Sequence, residues 1–227
     1  MAKFLLSIPS VGLESPNTWG SRDSIRSMMQ RIWNKYGSYI REASENSKIP
    51  ASIITSFIAV ESGGDELAGG SGYITQGLMQ WNRDFAKAQL EDELAKKRMT
   101  EGEKSVLAKY GIKFDANGKT RTITNADQKK PELNITIGSI ILGQLIDQDW
   151  GTSPSGVIHL DRVIAVYNAG AFGDTGKKAR QKTSPLYDTP QKLASAVNST
   201  TKAYINKMLG LNGAMDIASS DLKSVLV

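Results

Sequence analysis

The chain is expected to fold as a mainly α (α+β) domain with one small β-hairpin, and three observations point there. Apolar residues recur at helical spacing across 25–40. Two apolar runs, 53–60 and 135–146, suit buried helices. Only one segment, 114–124, carries a hairpin signal, with Asn117-Gly118 suited to the positive φ angles of a type I′ turn.

Taken in order, residues 1–20 hold Pro9, Gly12, Pro16, Asn17 and Gly20 and read as an irregular lead-in. Ser21 or Asp23 can cap the helix that follows, whose stripe is Ile25, Met28, Met29, Ile32, Trp33, Tyr36, Tyr39 and Ile40. Pro50 fits the first turn of a second helix, because its missing N–H is not needed there. Gly63-Gly64 ends that helix and leaves Glu61 in its last turn. Residues 63–76 read as loop, and 84–98 and 102–110 as charged helices. Asn134 can cap a helix from 135 to 148, residues 151–156 form a Gly/Ser/Pro loop, and a helix follows from Leu160 to Tyr167 or Asn168. Thr189-Pro190 opens a last helix that stops at Gly210. The expected organisation is a lead-in (1–20), one domain (21–210) and a weakly patterned tail (211–227).

Composition narrows the function classes. With 227 residues and no cysteine, disulfides and thiolate metal sites are excluded, and a lone histidine, His159, makes a zinc site improbable. No apolar run reaches the ~18 residues of a membrane span. The net charge of +5 suits an anionic partner such as a bacterial wall, but equally a solvated basic surface. The cations are scattered without interleaved aromatics, so no nucleic-acid partner is expected. The apolar stretch Phe4-Leu5-Leu6 is too short for a secretory signal, so a mature chain or another export route, as in phage proteins, is expected.

Chemistry centres on Glu61. A carboxyl at the end of the run Ile53-Ile54-Thr55-Ser56-Phe57-Ile58-Ala59-Val60 should have a raised pKa, as a general acid needs. Alone, a helix-terminal surface acid is the simpler reading. Three further segments change the odds: Gly77-Leu78-Met79-Gln80, Pro131-Glu132-Leu133-Asn134-Ile135 and Tyr167-Asn168-Ala169-Gly170. In this order they resemble the lytic transglycosylase domain of the soluble-lytic-transglycosylase type, which shares the goose-type lysozyme fold. The resemblance covers residues 45–172.

That resemblance implies a lysozyme-like helical domain in which Glu61 is the single catalytic acid/base and Ser62 supports it. It implies that Ser71 lies near the substrate's N-acetyl group, Gln80 lines the sugar cleft, Tyr167 orients the catalytic carboxyl beside Asn168, and Asn134 is a structural cap. It also implies cleavage between N-acetylmuramic acid and N-acetylglucosamine with a 1,6-anhydromuramic product, no cofactor, peptidoglycan strands as partner and the bacterial wall as place of action. Departures are Gln76 before the glycine, a slightly longer loop after Glu61, Trp81-Asn82-Arg83 after the glutamine, and the segment 85–130 as a flap or insertion.

Simpler readings stand beside these. Gln80 could be a loop-stabilising amide, Tyr167 a core tyrosine, Asn168 and Gly170 a helix C-cap, and Trp81 packing instead of a sugar platform. A hydrolytic lysozyme is the runner-up and would need a second carboxylate. Asp65 and Glu66 are most simply exposed loop charges, and Asp84 a cap for the helix near Phe85. An inactive glycan-binding module would lack Glu61, and a structural virion protein would use 1–44 and 211–227 as assembly contacts.

Overall fold

The computed structural model describes residues 19–69, 73–148, 150–152, 158–170, 173–181 and 189–222. Eleven helices lie within them, and β structure there is limited to isolated antiparallel bridges. No described helix is long and apolar enough to cross a membrane. Backbone packing divides the described residues into two compact units, the first from those within 19–26 and 144–222, the second from those within 27–143.

The second unit is built on α2 (Ala51–Ser62) and on residues 27–47 of α1 (Arg22–Ser47), whose first five residues belong to the first unit. α1 starts where Ser21 Oγ accepts the Ser24 N–H at 3.3 Å, so Ser21 and not Asp23 is the cap. Its buried stripe is Ile25, Met29, Ile32, Trp33, Tyr36 and Ile40, one face of a helix whose other faces stay polar. α2 is different: residues 53–59 are buried without interruption, as in a helix surrounded by protein. Pro50 is its N-cap, one position earlier than a first-turn proline.

α3 (Arg83–Ala95), α4 (Glu101–Lys109) and α5 (Asn125–Gln128) fill the segment that was expected to be a flap or an insertion. Within it Ala86, Leu90, Val106, Leu107, Ile112 and Ile123 are buried. Lys109 pairs with Glu42 of α1 at 2.6 Å, and Tyr110 donates its hydroxyl to the same carboxylate. The α3 cap is Asn82, whose Oδ1 accepts the Asp84 and Phe85 N–H groups; Asp84 is a first-turn residue beside Arg83, so the expected Asp84 cap is corrected.

The predicted hairpin shrinks to one bridge, Phe114 to Thr120. Its turn is not type I′, because Gly118 alone has positive φ. The Gly118 N–H meets the Asp115 carbonyl at 2.9 Å and the Asp115 N–H meets the Lys119 carbonyl at 2.8 Å, a type I turn followed by a left-handed glycine. Asp115 Oδ1 decides this by accepting the N–H groups of Asn117 and Lys119. Glu91 of α3 then takes the Thr120 N–H at 3.0 Å, together with Lys87 and Lys119.

α6 (Pro131–Ile146) carries the second apolar run and is buried along most of its length. It begins three residues before the expected Asn134 cap, because Pro131 is the helix opener.

The first unit packs α7 (Leu160–Ala169) against α8 (Asp174–Ala179), α9 (Pro190–Ala196) and α10 (Ser199–Leu209), with α11 (Ala214–Ser220) against α10. The single helix expected from Pro190 to Gly210 is two, since Val197 is extended and Asn198 caps α10 by accepting the Thr201 N–H at 2.8 Å. The weakly patterned tail contains α11, whose Met215, Ile217 and Ala218 are buried. Arg22, at the start of α1, holds it by donating to Asn212 (2.9 Å), Asp216 (2.9 Å) and Asp221 (2.7 and 2.9 Å).

Candidate active site

Glu61 stands half-buried in the last turn of α2, where the sequence places it. The helix stops at Gly63, whose N–H closes the last bond to the Ala59 carbonyl and whose φ of 63° turns the chain away. Ser62 is bonded to backbone on both sides of the helix end. Its hydroxyl donates to the Ile58 carbonyl at 3.1 Å and accepts the Gly64 N–H at 3.2 Å, fixing the chain as it leaves α2.

The loop beyond is anchored by two carboxylates. Asp65 Oδ1 accepts the Leu67 N–H at 2.9 Å. Glu66 accepts the Tyr36 hydroxyl at 2.8 Å and pairs with Lys35 at 3.2 Å. The Tyr36 hydrogen bond, aided by Lys35, outweighs desolvation and holds the Glu66 carboxyl below its ordinary range. Glu66 is thus a bonded group, not the plain exposed charge expected. Ser71 lies outside the described residues.

Residues 74–82 form a closed loop carrying Gly77-Leu78-Met79-Gln80, necked by the Thr75–Asn82 bridge. The fully buried Asn134 fills its interior. Asn134 Oδ1 accepts the Met79 N–H at 2.8 Å, and Nδ2 donates to the Gln76 and Gln128 carbonyls at 3.1 and 2.7 Å. Its own carbonyl accepts the Trp81 indole N–H at 2.9 Å. Asn134 is therefore a clamp between chain segments, not a helix cap. Trp81 is buried and packs instead of presenting a sugar platform.

Gly77 follows from this clamp. Its φ is 83°, and a Cβ would overlap the Gln128 carbonyl oxygen and the Asn134 amide nitrogen. Gln80 is itself left-handed at φ 48°. Its Nε2 donates to the Gly77 carbonyl at 2.7 Å and the Ala68 carbonyl at 3.0 Å. The Gly77 N–H reaches the same Ala68 oxygen at 2.9 Å. Ala68 thus stitches the loop leaving Glu61 to the loop bearing Gln80.

Sequence reasoning missed Gln128 and the Tyr36–Glu66 pair. Gln128 is buried, and its Nε2 donates to the Ile74 and Trp81 carbonyls. The available signal was Thr124-x-x-Asp127, a capping box that opens α5.

In the other unit, Tyr167 and Asn168 lie half-buried near the end of α7, before the C-cap Gly170. Asn168 Oδ1 accepts the Thr201 hydroxyl at 3.0 Å, so it ties α7 to α10. His159 is the N-cap position of α7 without a side-chain cap bond, and burial followed by Arg162 lowers its pKa.

No family model and no curated protein matches this chain. A solved structure does: the lytic transglycosylase Slt of Pseudomonas aeruginosa, an inactive glutamate-to-glutamine mutant, superposes with a TM-score of 0.51 at 19% identity. The fold is that of a lytic transglycosylase. The match takes in 83% of this chain and 24% of Slt, so the chain spans about a quarter of that protein. The mainly α, lysozyme-like class expected from the motifs is therefore the fold observed, while an identity of 19% leaves the chemistry to the residues themselves.

Proposed function

We propose that this chain cleaves peptidoglycan between N-acetylmuramic acid and N-acetylglucosamine as a lytic transglycosylase, with Glu61 as its single acid/base. The observation that carries this is the coupling of two loops in that fold. The Ala68 carbonyl, in the loop that leaves Glu61, accepts from both Gly77 and Gln80 of the Gly-Leu-Met-Gln loop. A carboxyl at a helix end and a polar loop stitched beside its exit is an arrangement that can hold a sugar against an acid.

In this reading the Glu61 carboxyl gives its proton to the glycosidic oxygen as the bond to muramic C1 breaks. The muramic N-acetyl oxygen stabilises the cationic C1. The Glu61 carboxylate then removes the proton of the C6 hydroxyl while O6 bonds to C1, closing the 1,6-anhydro ring and restoring the acid. No water enters. General acid–base catalysis supplies ~10²–10⁴-fold, and the remainder comes from positioning. Gln80, whose Nε2 is held by the loop, offers its Oε1 to a sugar hydroxyl or amide. Tyr167 and Asn168 are proposed for the same substrate, and Ser71 for its N-acetyl group.

Hydrolysis would call for a base to activate water. Glu66 is held by Tyr36 and Lys35, and Asp84 lies on the exposed first turn of α3, which favours the one-carboxylate route. Mass spectrometry of products from purified peptidoglycan tests the proposal. Anhydromuramic ends, lighter than reducing ends by one water, are expected from the native chain and not from Glu61→Gln. Reducing ends would make it a lysozyme, and undiminished activity in Glu61→Gln would remove Glu61 from the mechanism.

A further inference from the structure

The neck of the 74–82 loop is closed by more than its backbone bridge. Gln128 Nε2 donates one hydrogen to the Ile74 carbonyl at 3.0 Å and the other to the Trp81 carbonyl at 2.7 Å, one on each limb. Two carbonyl oxygens aimed at one nitrogen repel each other when no donor stands between them. An apolar side chain of equal volume would fill the space and still let the neck open. Gln128 is fully buried at the end of α5, and its own position is fixed from several sides. Thr124 and Asp127 form the capping box, Arg121 pairs with Asp127 at 2.6 Å, Lys130 pairs with it at 3.2 Å, and Arg83 meets Asn125. The Gln128 carbonyl then accepts from Asn134 Nδ2, so the neck and the interior of the loop share one support.

We propose that Gln128 is a positioning residue for glycan binding: its amide sets the width of the loop neck and thereby places Gln80 for the sugar. The inference rests on the glycan-binding role proposed for Gln80.

The test is steady-state cleavage of soluble, uncrosslinked peptidoglycan strands by the native chain, Gln128→Leu, Gln128→Glu, Gln80→Ala and the Gln128→Leu/Gln80→Ala double variant. Gln128→Leu is expected to raise KM about tenfold with kcat changed by less than about threefold, because misplacement of a binding group is felt in substrate affinity. Gln128→Glu keeps the shape with at most one donor, and reads the same KM rise if the leucine variant does not fold. Hydrogen exchange at the amides of residues 78–81 should accelerate in both. The double variant should be no worse than Gln80→Ala, since one effect passes through the other. A lowered melting temperature with KM unmoved, or KM effects of Gln128 and Gln80 that multiply, would overturn the proposal while leaving the enzyme reading intact. Failure of the native chain to cleave the strands would overturn both.

Discussion

Glu61, Asn134 and Gly77 show how much a single position can hold. Glu61→Gln keeps the size and hydrogen-bonding shape of the side chain but removes the transferable proton. It is expected to lower the release of glycan fragments by at least about 10²-fold, with circular dichroism and thermal unfolding unchanged. Asn134→Leu leaves the Met79 N–H and the Gln76 and Gln128 carbonyls without their partner. A cost of about 1–3 kcal/mol for each stranded buried group makes this a severe change, visible as a fall in the urea midpoint. Gly77→Ala meets both a φ of 83° and an occupied space against backbone, and should destabilise by more than about 3 kcal/mol on the same measurement. Glu61 was legible in the sequence because an apolar run and a Gly-Gly stop fix a helix end. Asn134 was misread because an asparagine before an apolar run looks alike whether it caps its own helix or bonds to a distant loop. Gln128 had only the indirect signal of the Thr124-x-x-Asp127 capping box, since nothing local distinguishes a buried glutamine that joins two carbonyls from a surface one.

At the scale of elements, the long helices were legible and the short ones were not. α1, α2, α6 and α7 declare themselves through stripes or runs of apolar residues, as does the pair α3 and α4 through charged helical spacing. α5, α8 and α11 have four to seven residues and owe their form to bonds from elsewhere, such as Arg22 on Asp216 and Asp221. The turn at 115–118 was assigned the wrong type because Asn-Gly favours type I′ only when no side chain intervenes, and Asp115 does. Caps carry measurable weight here. Thr124→Ala removes the side-chain half of the α5 capping box and should cost about 1 kcal/mol in equilibrium unfolding. Because α5 carries Gln128, the same variant should also speed amide exchange in residues 74–82.

For the molecule as a whole, acid stability is set by carboxylates whose pKa values fall on folding. The Lys87 hydrogen bond, followed by the Thr120 N–H and Lys119, brings Glu91 to about 2 against the cost of burial. Burial alone would raise Asp127, but Arg121, Thr124 and Lys130 override it and hold its carboxyl well below the usual range. A depressed folded pKa gives stability that is complete above the unfolded value of about 4.3 for Glu and is lost as pH falls from there towards about 2. Denaturant unfolding between pH 5 and 2.5 should therefore weaken steadily, and Glu91→Gln should flatten that slope while lowering stability at pH 7. The global fold was the most legible property of all, since four short motifs in order anticipated the lytic transglycosylase architecture at 19% identity.

The bonds that shape the Gly-Leu-Met-Gln loop join residues 47 to 58 positions apart in the chain. Few of them can form until α5 and α6 have docked, because closing so long a segment costs entropy before any bond repays it. The loop should then be among the last parts to gain protection during refolding, well after α1 and α2. A chain emerging from the ribosome would have made the α2 segment that carries Glu61 long before the Gly-Leu-Met-Gln loop had the partners that close it.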